Sequence, residues 1–290
     1  MEKELTIIII SYNTCKLTLD CIASIKKHTK GLDYEIIVVD NASYDESVTE
    51  LKKLKEIKLI VNQHNVGYAA ANNQGVEIAK GKYILLLNSD TLMTSSILAP
   101  ILTYMDKHAA VGILSCGLRN KDGSMQETGG YFPTILRVAD WMSMADKIPI
   151  LSELVLPYHP KISYYKELRD LDWVTGAFFL TRKAVWDKIG MLDKKYFMYV
   201  EEVDFCYRAK QAGWKVYYHP HWSIIHFGKA SSSSAYAIVS EFRGLLIFYK
   251  KHFPRWQYPL LRLCLKFGAG LRLFLKPSQA KTYREAWHAA

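Results

Sequence analysis

Asn88, Ser89 and Asp90 follow directly after an apolar run, YILLL, at residues 83–87. Such a run is typical of a strand that is buried on both faces of a sheet. In open α/β sheets, ligands bind beyond the carboxyl ends of the strands, so these three side chains are placed to hydrogen-bond a ligand. The Asp90 carboxylate can also bind a hard divalent cation. The alternative is a local role, because Asp90 could cap a helix that begins at Thr91.

Polar residues also follow the other apolar runs in the first half of the chain. They are Ser11, Tyr12 and Asn13 after the first run, Asp40, Asn41 and Ser43 after the second, and Asn62, Gln63, His64 and Asn65, followed by Gly67, after the third. This rim contains no lysine or arginine, so a nucleotide diphosphate bound there needs a cation to offset its charge. The turn after the first run, SYNTCK, contains no glycine, which argues against the glycine-rich loop of a dinucleotide-dependent dehydrogenase.

A second candidate site is the acidic segment EEVD, which opens a predicted helix at 201–211. Its carboxylates are Glu201, Glu202 and Asp204. Three carboxylates within four positions repel one another, which can raise the pKa of one of them to a value that suits a general base. On a helix, Glu201 and Asp204 lie near one face and Glu202 is turned aside. The alternative is an acidic first turn that complements the helix dipole.

Short apolar runs alternate with segments of helical periodicity, and this pattern predicts the elements that position these residues. The predicted strands cover residues 5–10, 35–39, 57–61, 83–87 and 111–115. Alternating strands and helices predict a parallel, doubly wound sheet over about residues 1–115. One helix is predicted over residues 68–80, and Gly81 is expected to end it.

Local signals add two further expectations. Ser43 lies three residues before Glu46, which is the spacing of a capping box at the start of a helix. Residues 120–170 are rich in Gly, Pro, Tyr and charged residues, so we expect long loops and short helices there.

The composition is that of a globular protein: of 290 residues, 50% are hydrophobic and 23% are charged. The five cysteines are scattered and include no Cys-x-x-Cys pair, which argues against a zinc knuckle or a disulfide framework and fits a reducing cytoplasm. The first residues, MEKELTIIIISYN, have an acidic head and a short apolar run, so a secretory signal is not expected. No stretch approaches the roughly 18 apolar residues of a membrane span.

The net charge of +10 is concentrated at the C-terminal end. Residues 242–290 contain ten Lys and Arg and one acid, Glu285, a net +9, so the other 241 residues carry 10 − 9 = +1. In a helix over 260–276, four cations share a sector of about 120°, opposite most of the Leu and Phe side chains. These cations are Arg262, Lys266, Arg272 and Lys276. Such a helix is typical of a segment that lies on an anionic membrane. The alternative is a helix docked on the body, and no nucleic-acid partner is expected because no recognised module accompanies the charge.

Taken in order, the motifs SYN, VVDNAS, NVGYAAANNQG and LLLNSDT resemble those of family 2 glycosyltransferases, which have the nucleotide-sugar-binding GT-A fold. The segment 173–214, which contains WVTGAFFL and EEVDFCYR, is similar to the second half of the family in its rhamnosyltransferase-like branch. The resemblance implies an α/β fold with a mixed, mainly parallel sheet. It divides the chain into a nucleotide-sugar-binding half (1–115), an acceptor-binding and catalytic half (116–235) and a C-terminal helical, basic segment (236–290).

The resemblance also implies which residues bind the donor and the metal. The implied donor-binding residues are Ser11, Tyr12, Asn13, Asp40, Asn65, Gly67, Asn88, Ser89 and Asp90. Asp40 would hydrogen-bond a pyrimidine base, and Asp90 would bind Mg²⁺ or Mn²⁺ as the last residue of the family's Asp-x-Asp motif. Asn88 stands in place of the first aspartate of that motif, so one anionic ligand is lost. His226 would complete the metal shell, although a lone histidine is by itself more often structural.

For catalysis, the resemblance implies a base in the acidic segment. Glu202, where the family commonly has aspartate, would accept the proton of the acceptor hydroxyl, with Glu201 and Asp204 beside it. Trp173 and Gly176 would lie on the acceptor side. We therefore expect an inverting glycosyltransferase.

The expected donor is dTDP-L-rhamnose, with a UDP-sugar as the alternative, because the base pocket does not separate uracil from thymine. The expected acceptor is a saccharide or a polyprenyl-diphosphate-linked sugar used in cell-surface polysaccharide synthesis. The enzyme would be cytoplasmic and peripheral at the inner face of the cell membrane. A sugar-nucleotide-binding protein without turnover is a different interpretation, favoured by Asn88 and Glu202. A nucleotidyltransferase is a third, but it would usually show a glycine-rich, basic triphosphate loop near the N-terminus, and the sequence has none there.

Overall fold

A single large sheet organises the protein, whose computed structural model describes residues 3–144, 156–228 and 234–290. The strands in these ranges are β1 (Lys3–Ser11), β2 (Tyr34–Asp40), β3 (Ile57–Val61), β4 (Gly81–Asn88), β5 (Thr91–Leu92), β6 (Val111–Arg119), β7 (Gly129–Gly130), β8 (Arg169–Leu171), β9 (Trp173–Val174), β10 (Phe178–Arg182) and β11 (Lys215–His226). Nine of these described strands form the main sheet, and β7 and β9 form a separate pair.

Helices cover the sheet and form the C-terminal end. The helices in the described ranges are α1 (Cys15–His28), α2 (Ser47–Leu51), α3 (Tyr68–Glu77), α4 (Leu98–Lys107), α5 (Ile135–Ser143), α6 (Lys183–Ile189), α7 (Glu201–Gln211), α8 (Ser234–His252), α9 (Gln257–Leu275) and α10 (Ala280–Ala289). None of them is long and apolar enough to cross a lipid bilayer.

The main sheet is mixed and mainly parallel, as expected. Its order is β3-β2-β1-β4-β10-β6-β11-β5, with β8 paired to β11. The pairs β1–β2, β1–β4, β2–β3 and β6–β11 are parallel, whereas β10 runs antiparallel between β4 and β6. Ser11 pairs with Asp40, and Ile10 pairs with Asn88, so the carboxyl ends of three strands meet at one edge.

The central strands are apolar without interruption because both of their faces are covered. Ile7 and Ile9 belong to one hydrophobic cluster and Ile8 to another, and all three are fully buried. Burial of each such side chain stabilises the fold by roughly 1.5–3 kcal/mol. Polar residues are therefore disfavoured along these strands and are found at their ends.

Two local predictions are wrong. The helix expected at 68–80 ends at Glu77, and Gly81 opens β4 instead. A Cβ at Gly81 would lie 2.3 Å from the Thr6 nitrogen, so the glycine permits a close approach of two strands. The capping box is absent because α2 begins only at Ser47, and the Ser43 hydroxyl accepts a hydrogen bond from the Asn13 N–H (2.9 Å).

The predicted boundary between residues 115 and 116 falls within β6, which continues to Arg119. The strands β10 and β11 belong to the same sheet as β1 to β4. The two predicted halves therefore share one sheet. The C-terminal segment begins as helix α8 at Ser234, close to the predicted start at 236.

The basic helix is present as α9, but its orientation differs from the expectation of a free basic face. It packs against α5, α8 and α10. Arg272 is only 8% exposed and donates hydrogen bonds to the carbonyls of Trp141 and Met142, which are among the last residues of α5 (2.8 Å each). Arg262 donates to the Ala290 carbonyl (2.6 Å). Two of the four cations thus bind backbone carbonyls, since the end of a helix leaves such groups without partners.

Candidate functional site

Asp90 and His226 are brought together by the pairing of β5 with the end of β11. In this antiparallel pair, Thr91 lies opposite His226, and the Phe227 N–H donates to the Asp90 carbonyl (2.9 Å). The His226 Nε2 lies 3.4 Å from the Asp90 Oδ1. The alternative that Asp90 caps a helix is wrong, because Thr91 and Leu92 form a strand.

Gln126 determines which nitrogen of His226 carries a proton. The Gln126 amide donates to the His226 carbonyl (2.7 Å) and to the Asn120 Oδ1 (2.6 Å). Its Oε1 therefore faces the His226 Nδ1, at 2.7 Å, and accepts a hydrogen bond from an N–H there. With Nδ1 as the donor of neutral imidazole, Nε2 presents a lone pair towards the Asp90 carboxylate. Two acceptors that face each other in this way need a cation or a proton between them.

These residues fit a divalent cation. A carboxylate oxygen and an imidazole nitrogen, the latter oriented by an outer hydrogen bond, are ordinary ligands of Mn²⁺ and similar ions. The described residues contain no group of three or more His, Cys, Asp and Glu side chains that could hold a metal. The protein thus offers a partial ligand set, and a bound diphosphate and water would have to supply the remaining ligands.

A cavity of about 340 Å³ opens beside this pair, and we call it the rim cavity. Its lining includes five of the predicted donor-binding residues: Tyr12, Asn65, Asn88, Ser89 and Asp90. It also includes Asn41 of the predicted polar rim, together with Ile10, Tyr68, Phe197, Met198 and Tyr236, for which no site was predicted from the sequence. Sequence spacing gives no reason to join residues 197 and 236 to the strand ends.

Asp40 lies at the end of β2 and is fully buried. Its Oδ1 accepts a hydrogen bond from the Ser43 N–H (2.9 Å). Its Oδ2 is buried and has no hydrogen-bond partner among the described residues. A buried carboxylate oxygen without a donor is costly, so this atom is suited to accept a hydrogen bond from a ligand N–H.

An amide network positions Asn65. The Asn41 Nδ2 donates to the Asn65 Oδ1 (2.8 Å), and the Asn41 Oδ1 accepts from the Val66 N–H (3.1 Å). The Asn65 Oδ1 also accepts from the Gly67 N–H (2.9 Å). The loop after β3 is therefore held against the end of β2.

Four predicted donor-binding residues are not in the lining of the rim cavity: the buried Asp40, and also Ser11, Asn13 and Gly67. The Ser11 hydroxyl is fully buried and accepts from Thr18 (3.2 Å). The Asn13 Oδ1 accepts from the Tyr44 N–H (2.9 Å), which fixes the two loops relative to each other. Gly67 has a φ of +86°, and a Cβ there would lie 2.6 Å from the Phe197 carbonyl oxygen. These residues shape the cavity rather than lining it.

Glu202 lines a second cavity of about 270 Å³, which we call the aromatic cavity. Its lining includes Trp173, Tyr158, His159, Tyr199, Glu127 and Glu241. Burial raises the pKa of Glu202 to about 7, and the charge of Glu241 adds to this effect against an opposing backbone hydrogen bond. The Glu202 Oε2 has no hydrogen-bond partner among the described residues. A carboxylate of this pKa can accept a proton near neutral pH.

His159 and Glu241 form an ion pair in the aromatic cavity, with the His159 Nε2 at 2.9 Å from the Glu241 Oε1. Burial disfavours the imidazolium, but the charge of Glu241 outweighs it and raises the pKa of His159. Neither of these residues, nor Gln126, was predicted from the sequence. They lie in the loop-rich region and in a C-terminal helix, where no motif marks them.

The backbone before α7 is strained. Tyr199 and Val200 have φ values of +73° and +72°. A β-branched residue in this region is an outlier that costs on the order of 1–3 kcal/mol, and such strain is typical of functional sites. Gly244 accommodates the turn, because a Cβ there would lie 2.6 Å from the Val200 Cγ2. The strained turn places Glu202 in the aromatic cavity.

Glu201 is buried at the start of α7, and its Oε2 has no hydrogen-bond partner among the described residues. Burial, and then the charge of Glu202, raise the pKa of Glu201 well above its ordinary value. Burial, and then the charges of Glu201 and Glu202, raise the pKa of Tyr68. The Tyr68 hydroxyl donates to the Gly176 carbonyl (3.1 Å). Gly176 thus supports Tyr68 and is absent from both cavity linings, whereas Trp173 lines the aromatic cavity.

Asp204 lines neither cavity and is fully buried. Its carboxylate pairs with Arg208 (2.8 Å), Lys251 (2.8 Å) and His252 (2.7 Å). Burial alone would raise the pKa of Asp204, but hydrogen bonds from His252 and Lys251 and the charge of Arg208 hold it well below its usual range. These partners suit an anchor between α7 and α8 rather than a proton acceptor.

A family model and two relatives match this chain over long stretches. The family model described as Glycosyl transferase family 2 matches residues 6–187, more than half of the chain. An N-acetylglucosaminyl-diphospho-decaprenol L-rhamnosyltransferase of Mycobacterium tuberculosis is 23% identical over 264 residues, which cover 83% of this chain and 82% of the relative. The rhamnosyltransferase WbbL of Escherichia coli is 26% identical over 186 residues, which cover 59% of this chain and 64% of the relative.

A solved structure supports the fold. The mannosyltransferase PcManGT of Pyrobaculum calidifontis, solved in complex with GDP-Man and Mn²⁺, has a TM-score of 0.60 at 14% sequence identity. The match covers 99% of this chain and 85% of that one. At this identity the likeness shows the fold alone, and it confirms the GT-A fold that the motifs implied.

The anchor role of Asp204 predicts a pH-dependent loss of stability. Asp204→Asn should lower the free energy of unfolding by roughly 2–4 kcal/mol at pH 7, because it removes the buried counter-charge that pairs with Arg208 and Lys251. Since the pKa of Asp204 is lowered in the folded state, its contribution is complete above the unfolded-state pKa of about 4 and is lost as the pH falls below it. Urea unfolding at pH 7 and pH 3.5 measures both effects.

Asp187→Asn is the matched control, since Asp187 forms an exposed pair with Lys183 that should contribute about 0.5 kcal/mol or less. If Asp204→Asn is as stable as this control at pH 7, the anchor role is wrong.

Proposed function

The chain belongs to glycosyl transferase family 2, in its rhamnosyltransferase-like branch, and we propose that it is an inverting, cation-dependent enzyme that transfers L-rhamnose from dTDP-L-rhamnose. The observation that carries this proposal is the edge formed by Asp90 and His226 beside the rim cavity. A cation held there would offset the charge of the donor diphosphate and stabilise it as a leaving group. The Mn²⁺ in the mannosyltransferase complex supports this assignment.

Asp40 supports a pyrimidine nucleotide. Thymine and uracil both carry an imide N–H between two carbonyls, and the buried Asp40 Oδ2 is an acceptor in need of such a donor. Asn65, Tyr12 and Ser89 line the rim cavity and would hydrogen-bond the rest of the nucleotide. Because the imide edge is the same in both bases, a UDP-sugar is the second candidate donor. The names of the two rhamnosyltransferase relatives favour rhamnose as the sugar that is transferred.

The aromatic cavity is the proposed acceptor site. Trp173 and Tyr158 offer ring surfaces on which a sugar can pack, and Glu202 is the base that faces this cavity. In the proposed reaction, the acceptor hydroxyl attacks the anomeric carbon as the bond from that carbon to the diphosphate oxygen breaks. The hydroxyl proton passes to Glu202, and the nucleoside diphosphate leaves. Attack from the side opposite the leaving group inverts the anomeric configuration.

The proposed acceptor is a saccharide carried on a polyprenyl diphosphate, as the name of the mycobacterial relative suggests. Such a lipid is confined to a membrane, so we propose that the enzyme works as a cytoplasmic, peripheral protein at the inner membrane face. The product would enter the synthesis of a cell-surface polysaccharide.

A panel of nucleotide sugars tests the donor assignment. Purified protein with Mn²⁺ should be stabilised most by dTDP-L-rhamnose, less by UDP-sugars and not by ADP-glucose, because adenine has an unprotonated ring nitrogen, an acceptor, where the pyrimidines carry the imide N–H. A ligand at 100 times its Kd raises the free energy of unfolding by about 2.7 kcal/mol, which a thermal shift detects. Preference for the purine nucleotide would contradict the role of Asp40. If the donor binds but no dTDP is released when polyprenyl-diphosphate-linked saccharides are added, a sugar-nucleotide-binding protein without turnover is favoured.

The base assignment predicts a loss of turnover with donor binding retained. Glu202→Gln is nearly isosteric but cannot accept the proton, so kcat should fall by about 10²–10⁴. In the wild type, kcat should rise with pH through about 7, as the Glu202 carboxyl loses its proton. Glu167→Gln, at an exposed side chain, is the control and should retain full activity. Near-normal turnover in Glu202→Gln would move the role to Glu201 or remove it from α7.

A further inference from the structure

The outward side of α9 carries a row of large apolar side chains. It consists of Trp256, just before the helix, and Leu260, Leu263, Phe267 and Phe274, and we call it the outer ridge. Leu263 is 67% exposed, Phe267 58% and Phe274 85%. A contiguous exposed apolar surface of this kind is typical of an interaction site.

The outer ridge is a consequence of how α9 docks. Successive ridge residues are separated by four, three, four and seven positions, so they lie along one side of the helix. The opposite side is buried against α5, α8 and α10 through Leu261, Leu265 and Ala269, which are fully buried. The ridge is therefore a second apolar surface, additional to the one that holds the helix on the body.

The charges around the outer ridge indicate what covers it. Residues 242–284 contain ten Lys and Arg and no Asp or Glu. Arg255, Arg262 and Lys276 are exposed at or near the ends and flank of the ridge. A second copy of this chain seated on the same ridge would bring two purely cationic segments together, which like-charge repulsion disfavours. An anionic lipid surface offers the opposite charge and an apolar interior.

We propose that the outer ridge inserts into the interface of an anionic membrane, with Arg255, Arg262 and Lys276 on the lipid headgroups. The apolar contact is thus made by the outer ridge and not by the basic sector of α9. Arg272 of that sector holds α5, whereas its exposed members Arg262 and Lys276 remain available to the headgroups. This inference deepens the proposed peripheral location, because it names the surface that contacts bulk lipid, and it requires neither a donor nor turnover. It rests on the proposed function only in the expectation that a lipid-linked acceptor lies nearby.

Vesicle co-sedimentation with the full chain tests the proposal. Vesicles of phosphatidylcholine with graded phosphatidylglycerol content should bind the wild type increasingly as the anionic fraction rises. The triple variant Leu263→Ser, Phe267→Ser, Phe274→Ser should bind at least about 100-fold more weakly, since each side chain withdrawn from the bilayer weakens binding by roughly tenfold or more. The double variant Arg255→Gln, Lys276→Gln should bind less well to anionic vesicles and equally to neutral ones. High salt should weaken binding only in part, because screening leaves the apolar contribution.

The control is Ile78→Ser, which removes an exposed apolar residue just after α3, outside the ridge, and should leave vesicle binding unchanged. Brominated lipids give a second readout, since they should quench tryptophan fluorescence of the wild type more than that of Trp256→Phe. Absence of vesicle binding by the wild type at every anionic content would overturn the proposal. So would unchanged binding of the triple variant, or a lipid-free dimer that the triple variant dissociates.

Discussion

The antiparallel pairing of β5 with the last residues of β11 is the constraint on which the candidate site depends. The central strands are buried on both faces, so polar chemistry is confined to their carboxyl ends. Asp90 alone at such an end would be one carboxylate in a polar rim. The pairing adds His226 from a strand more than 100 residues further along the chain, at 3.4 Å. It does so because β11 is long and irregular, with a register shift between His219 and Ser223 that carries the strand onward to β5.

The position of Glu202 depends on a different set of contacts. The turn at Tyr199 and Val200 is strained. Gly244 permits the close approach of Val200, and Gly67 permits that of Phe197, just before the turn. Asp204, in the first turn of α7, ties that helix to α8 through Lys251 and His252. The C-terminal helices therefore support the site as well as forming a surface of their own. We infer that the cost of the strained turn is met by this packing.

Much of the site could be predicted from the sequence because strand ends are easy to locate. Asn88, Ser89 and Asp90 were placed correctly at the edge of the sheet by the apolar run before them. Gln126, His159 and Glu241 could not be predicted in the same way. Gln126 contacts His226, and His159 contacts Glu241, in each case across 80 residues or more of the chain. Neither periodicity nor a motif predicts contacts between residues so far apart.

The orientation of α9 shows a second limit of sequence reasoning. Helical periodicity separates the charged sector from the apolar one, but it does not say which sector faces the body. Arg272 is buried because the carbonyls at the end of α5 need donors, and the identity of that partner follows only from the tertiary structure. Ser11 illustrates the same point within the site, since its place after β1 was predicted and its inward-facing hydroxyl was not.

Manganese titration followed by electron paramagnetic resonance, with dTDP present, tests the central claim that Asp90 and His226 hold the cation. The wild type should bind Mn²⁺ together with dTDP, Asp90→Ala should lose this binding, and His226→Ala should lose less of it. Gln126 is not a proposed ligand, but it orients the imidazole of His226. Gln126→Ala should therefore weaken Mn²⁺ binding by about 10- to 100-fold. Gln211→Ala, at an exposed position in α7, should match the wild type. Equal Mn²⁺ affinity in all five proteins, or dTDP binding that ignores the metal in each of them, would contradict the account.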